Sequence, residues 1–247
     1  MASATRQHHY RLLLVACMAM LAIFTFPDPW NRLASPGYLA LGVVMLRALG
    51  GGGERSRRGT LHRRLYRGTG IATLAVGGLW LLTPLELRDT GVPVVVLWVL
   101  FSLWSAQRLI HQLGKERSVD EAVLSGALAG YLMLGLSGGI LSAAVETVAP
   151  GSFTGVDLTP HGPDGLDPVW RLDFVKLNYF AFVSLTTTGY GDILPITPAA
   201  QMLSIALAVA GNSYLAIVLG VLIGRFSMRG SDDRNSHDRD GLDDSRD

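Results

Sequence analysis

Long uncharged apolar stretches fill most of the sequence between Leu12 and Gly224, and short charged stretches separate them. The apolar stretches are Leu12–Pro27, Leu33–Leu46, Gly68–Leu85, Thr90–Gln107, Ala122–Val145 and Ile193–Gly224. Their apolar residues do not recur with the period of a half-wet helix or strand. They run on, as they do where lipid rather than water surrounds a helix. A spanning helix takes roughly 17–25 such residues. The last two stretches exceed that need, the third and fourth meet its minimum, the first is marginal and the second is short. Arg47 can snorkel and carry the second helix on towards Gly50. The pattern predicts an all-α integral membrane protein with six transmembrane helices.

Arg6 and Arg11 ahead of the first stretch also suit a signal peptide. The stretch ends in Pro27-Asp28-Pro29-Trp30 without a small-x-small cleavage site, so a retained first helix is the expectation. Charge then orients the helices. With the N-terminus inside, the cytoplasmic segments collect Arg6 and Arg11, the cluster from Arg47 to Arg67, Arg108 to Arg117, and the arginines from Arg225 onward. Of the 21 basic residues only Arg32, Arg88, Arg171 and Lys176 fall outside. The positive-inside rule thus predicts a multi-pass cell-membrane protein with both termini cytoplasmic. The Arg47–Arg67 cluster also suits a lipid or nucleic-acid patch, but with a helix on each side the topological role explains it.

Composition sharpens this picture only slightly. The chain is 49% hydrophobic and 17% charged, its mean hydropathy is +0.33, and its net charge of +1 implies no attraction to nucleic acid. A single cysteine, Cys17, excludes a disulfide within the chain and a cysteine metal site. Three parts are expected: a four-helix membrane domain over 1–118, a pore-like unit over 119–226, and a polar tail over 227–247. The tail mixes charges, lacks aromatics and is expected to be disordered.

The candidate chemistry lies between the last two helices. Val148–Trp170 is rich in Gly, Pro and Asp and reads as an outer loop. Asp173 offers an N-cap to a short apolar helix over Leu172–Leu185, too short to span. Thr186-Thr187-Thr188-Gly189-Tyr190-Gly191-Asp192 follows at once, and Pro195 and Pro198 precede the final helix. This is a re-entrant loop. Non-helical backbone at membrane depth is tolerated only where it lines a water-filled path or is buried in protein. A dehydrated K⁺ needs a cage of oxygens, which stacked backbone carbonyls supply when they all point one way. Glycines such as Gly189 and Gly191 permit the required φ values. The Thr187 hydroxyl can add the innermost ring. One loop supplies a quarter of each ring, so four chains must meet on an axis.

Thr187-Thr188-Gly189-Tyr190-Gly191 resembles the filter signature of the potassium channel superfamily. Tyr179–Thr186 resembles its pore helix, and Thr197-Pro198 with Gly211–Ile217 resembles the bacterial two-helix pore module. The resemblance covers about 119–226 and implies a homotetrameric, K⁺-selective channel in a lipid bilayer. It implies ion sites at Thr187, Thr188, Gly189 and Tyr190, with support from Thr186, Gly191, Asp192 and Tyr179. Gly211, near mid-helix, is a hinge candidate, with close helix packing through a small residue as the alternative. The family usually has valine where this chain has Thr188. A near-isosteric neutral swap is expected, against an extra hydrogen bond to the pore helix. The acid that some members carry behind the filter is absent, since Val183 stands there. The matching acid at the rim is Asp192, and Tyr179 stands where tryptophan is usual, so Tyr179–Asp192 is the expected brace.

Other features argue by what they lack. A voltage-sensor helix needs arginines at every third position within the membrane. Gly91–Gln107 has none, and Arg108 stands just beyond it. Strong voltage gating is therefore not expected. The histidines are scattered; His8-His9 and His161 read as solvated residues. No cofactor is expected other than K⁺ as the permeant ion, and no soluble partner is evident. A transporter would carry four degenerate loops in one long chain, and a non-conducting sensor would need no intact filter. An enzyme is disfavoured, because no paired carboxylates, nucleophile–base pattern or metal cluster stands at membrane depth.

Overall fold

The computed structural model describes residues 2–26, 34–51, 57–82, 88–114, 121–156 and 174–220. Within these the chain is helical: α1 (Ala2–Ile23), α2 (Ala34–Leu49), α3 (Arg57–Leu82), α4 (Arg88–Gly114), α5 (Glu121–Val148), α6 (Phe174–Leu185) and α7 (Pro198–Ser213). The last helix runs straight on into a π-helical segment, Tyr214–Leu219.

Among the described residues, three helical stretches are long and apolar enough to cross a membrane: Pro93–Gly114, Glu121–Val148 and Pro198–Val218. The apolar parts of α1 and α2, His8–Ile23 and Pro36–Leu49, are shorter. Helix α3 begins well before its apolar stretch, because Arg57–Arg67 is itself rich in good helix formers and continues the same coil. The final helix starts later than its apolar stretch. Pro198 occupies the first turn, where its missing N–H costs nothing, and Thr197 caps it by accepting from the Ala200 N–H. The expected Asp173 cap, His161, most of the outer loop and the 227–247 tail lie outside the described residues.

Helix α5 is the centre of the packing, in contact with α1, α4, α6 and α7. Its faces bury Val123, Ala127, Met133 and Leu136 into a core shared with Tyr10, Leu13, Cys17, Met45, Tyr66, Phe101 and Leu109. A strip of glycines on α5 sets how near its neighbours come. A Cβ at Gly135 would collide with the Phe182 ring, at Gly138 with Leu207 Cδ2 at 2.7 Å, and at Gly139 with the Asn178 amide. Residues spaced by three and four share a helix face, so these glycines form one flat seat for α6 and α7. Helix α7 shows the opposite character. Met202, Ile205 and Val209 on it, and Ile217 beyond it, are exposed.

Candidate functional site

Helix α6 enters, stops at Leu185, and hands its C-terminal carbonyls to the segment that follows. The Thr186 N–H donates to Phe182 O at 2.9 Å and the Thr187 N–H to Ser184 O at 3.0 Å. Both the Thr188 and Gly189 N–H groups donate to Val183 O, at 3.0 and 3.4 Å. These bonds satisfy carbonyls that a helix end leaves without partners. They also fix the direction of the chain's own carbonyls. In a trans peptide the C=O of one residue points opposite to the N–H of the next. With three successive N–H groups turned onto α6, the carbonyls of Thr186, Thr187 and Thr188 face away from it.

The backbone keeps up this arrangement by alternation. The angle φ is positive at Thr187 (55°), Gly189 (59°) and Gly191 (79°), every second residue. Alternating right- and left-handed residues turn successive N–H groups to one side, and the carbonyls to the other. Glycine adopts the left-handed region freely; for Thr187 it costs on the order of 1–3 kcal/mol. Residues Thr186 to Asp192 are all exposed in the single chain.

Side chains support the strand from behind. Thr186 Oγ1 donates to Phe182 O at 2.8 Å and lies 2.9 Å from Thr188 Oγ1. The Thr188 hydroxyl therefore has a partner in Thr186 rather than directly in α6. Among the described residues the Thr187 hydroxyl makes no hydrogen bond. The Tyr190 ring stacks parallel to Tyr179, with centroids 6.4 Å apart and planes at 3°. The Asp192 carboxylate stands near enough to the Tyr179 hydroxyl to act on its proton. As an acceptor for that proton it raises the tyrosine's pKa, because losing the proton would break the bond and set two negative charges together.

Two supports were not read from the sequence. Asn178, the one amide in α6, is buried and accepts from the Tyr38 hydroxyl of α2 at 2.9 Å, which ties α2 to α6. A lone amide in an apolar helix was the available signal. Glu146, passed over as the end of an apolar stretch, is buried and accepts from the N–H groups of Gly151 at 2.7 Å and Phe153 at 3.1 Å. That turn holds residues 152–154 against the segment after Asp192, through Thr154 N–H to Leu194 O and Ile196 N–H to Ser152 O. Thr197 Oγ1 donates to Ser152 Oγ at 2.9 Å in the same network.

Gly211 sits where α7 crosses the end of α6. A Cβ there would run into the Leu185 carbonyl oxygen, so the two backbones are in direct contact at this point. One turn further, Tyr214 begins the π-helical segment, and its hydroxyl donates to Ala127 O of α5 at 2.6 Å. Among the described residues no group of histidine, cysteine, aspartate or glutamate is arranged to hold a metal ion.

Residues 143–228, from the end of α5 through α7, match a family described as "Ion channel". A protein named two pore potassium channel c, from Oryza sativa subsp. japonica, is 44% identical over 45 residues. The match covers 18% of this chain and 10% of that protein. One named voltage-gated potassium channel, from Aeropyrum pernix, is 38% identical over 48 residues, covering 19% of this chain and 16% of its own length. The chain thus spans only a small part of the length of the curated relatives it matches. No solved structure matches.

Proposed function

We propose that this chain, a member of the potassium channel superfamily by its pore segment, is one subunit of a K⁺-selective channel. The observation that carries the reading is the set of N–H groups from Thr186 to Gly189 turned onto α6. It leaves the carbonyls of Thr187 and Thr188 on the open side, and positive φ at Gly189 and Gly191 continues the alternation through Tyr190. Carbonyl rings built this way replace the hydration shell of K⁺. Four copies around an axis close the rings. The exposure of residues 186–192 and of the apolar face of α7 supports that assembly, since both would then face neighbouring subunits or the pore.

In this reading the chain crosses the bilayer six times with both termini cytoplasmic, and α6 enters without crossing. Its C-terminal end, which carries partial negative charge, favours a cation on the axis. Gating does not depend strongly on voltage. Arg108, at the end of α4, is held by Leu49 O at 2.9 Å and over the Tyr66 ring, 4.5 Å from its centroid. That is one anchored arginine rather than a ladder of mobile ones.

The decisive experiment is a reversal potential from purified protein in planar bilayers, with K⁺ on one side and Na⁺ on the other. A potential near that of a K⁺ electrode is expected. Equal permeability to the two ions would overturn the reading.

A further inference from the structure

We propose that the hydroxyl bridge between Thr186 and Thr188 holds the strained Thr187 in place and leaves the Thr187 hydroxyl for the permeant ion. Thr188 is then a positioning residue of the filter. The proposal rests on the channel reading and assigns three chemically identical neighbours three different duties.

The direction of the bridge follows from counting protons. Thr186 Oγ1 lies 2.8 Å from Phe182 O and 3.4 Å from Val183 O, carbonyls to which it can only donate. Its single proton is engaged there, so at the 2.9 Å contact it accepts and Thr188 donates. A two-bond relay runs from the filter strand to the end of α6. The same two residues are tethered again through their backbones, Thr186 N–H to Phe182 O and Thr188 N–H to Val183 O. Residues 186 and 188 are thus each anchored twice, and the residue between them has no side-chain tether.

That residue is the one under strain. Thr187 has a φ of 55°, the only positive φ outside glycine among the described residues. A non-glycine residue persists there only where its surroundings over-determine it. The hydroxyl bridge closes a ring across Thr187 and supplies that constraint. With both flanking hydroxyls paired to each other behind the strand, only the Thr187 hydroxyl remains available to an ion. A valine at position 188 would fill the same space without the bond. This chain has Val183 in α6 and no acid there, so the bridge is a support from behind that the sequence at 183 does not provide.

Single-channel recording with K⁺ on both sides tests this. Losing one neutral hydrogen bond shifts a local equilibrium by roughly two- to tenfold. Thr188→Val is expected to raise the fraction of time spent non-conducting by about that factor, with the tetramer still assembled and selective for K⁺. Thr188→Ser is expected to restore wild-type open times. Thr186→Val should do at least as much harm, and Thr186→Val/Thr188→Val no more than Thr186→Val alone. If Thr188→Val fails to assemble, Thr188→Ala against Thr188→Ser makes the same comparison. Wild-type open times in Thr188→Val, with K⁺-selective current intact, would overturn the bridge while leaving the channel reading standing. Absence of K⁺-selective current in the unmodified protein would sink both.

Discussion

Replacing Gly211 with alanine tests why a glycine stands in the middle of the last helix. An added Cβ would overlap the Leu185 carbonyl oxygen and lie 2.9 Å from the Leu185 carbonyl carbon and 3.1 Å from its Cγ. Carbon contacts are optimal at about 3.5–4.0 Å, so α7 must retreat from α6 by at least roughly 0.5–1 Å, the overlapping oxygen asking for the larger part. A retreat of that size forfeits about a quarter to a half of each dispersion contact across the crossing. Overpacking of this kind costs about 1–3 kcal/mol per subunit. For a chain of this length each kcal/mol lowers the thermal midpoint by about 2–4 °C. Gly211→Ala should therefore lose about 2–12 °C in a detergent melt. The offending atom is backbone, so shortening the side chain with Leu185→Ala should not rescue it. Gly138→Ala is the control: its Cβ meets the Leu207 side chain, so its cost should shrink in a Leu207→Ala background. An unchanged midpoint in Gly211→Ala, together with altered open probability, would refute the close-approach argument and favour a hinge.

Three further outcomes are expected. Gly189→Ala should abolish current, because a side chain at φ 59° disfavours the backbone that orients the filter carbonyls; full conductance would show that the alternation is not required. Tyr179→Phe and Asp192→Asn should each change the rate at which current declines during maintained activity. Their double mutant should be no worse than the worse single, and additive effects would retire the brace. The conductance–voltage relation should be shallow, since each gating charge contributes about 2.3 kcal/mol per 100 mV and Arg108 is the one arginine at the end of α4. A slope that needs several charges per subunit would contradict this.

What the sequence determined by itself was where the apolar stretches lie and where the chemistry sits. Uncharged length marks the last two stretches as spanning and puts the third and fourth at the minimum, because the thickness of a bilayer is a requirement on one helix alone. Among the described residues the helical stretches that meet it lie in α4 and α5 and over Pro198–Val218. The candidate segment was equally easy to single out, since Gly189 and Gly191 bracket Tyr190 after a helix too short to span. The resemblance put the start of α7 at Thr197-Pro198, and the cap and first-turn proline seen there are local chemistry. The tertiary structure decided what depends on distance between elements. Three consecutive threonines are identical in sequence. Only the placement of the Phe182 and Val183 carbonyls makes two of them braces and leaves the third free. Gly211 reads equally as hinge or seat in the sequence; the folded chain adds that the Leu185 carbonyl fills the space a side chain would need there. Asn178 and Glu146 looked incidental because their partners, Tyr38 of α2 and the turn at Gly151–Phe153, are brought to them by packing and chain reversal. A hydrogen bond needs its two atoms within about 3 Å. Residue type states what a side chain can donate or accept, but only the folded backbone decides what stands within that reach.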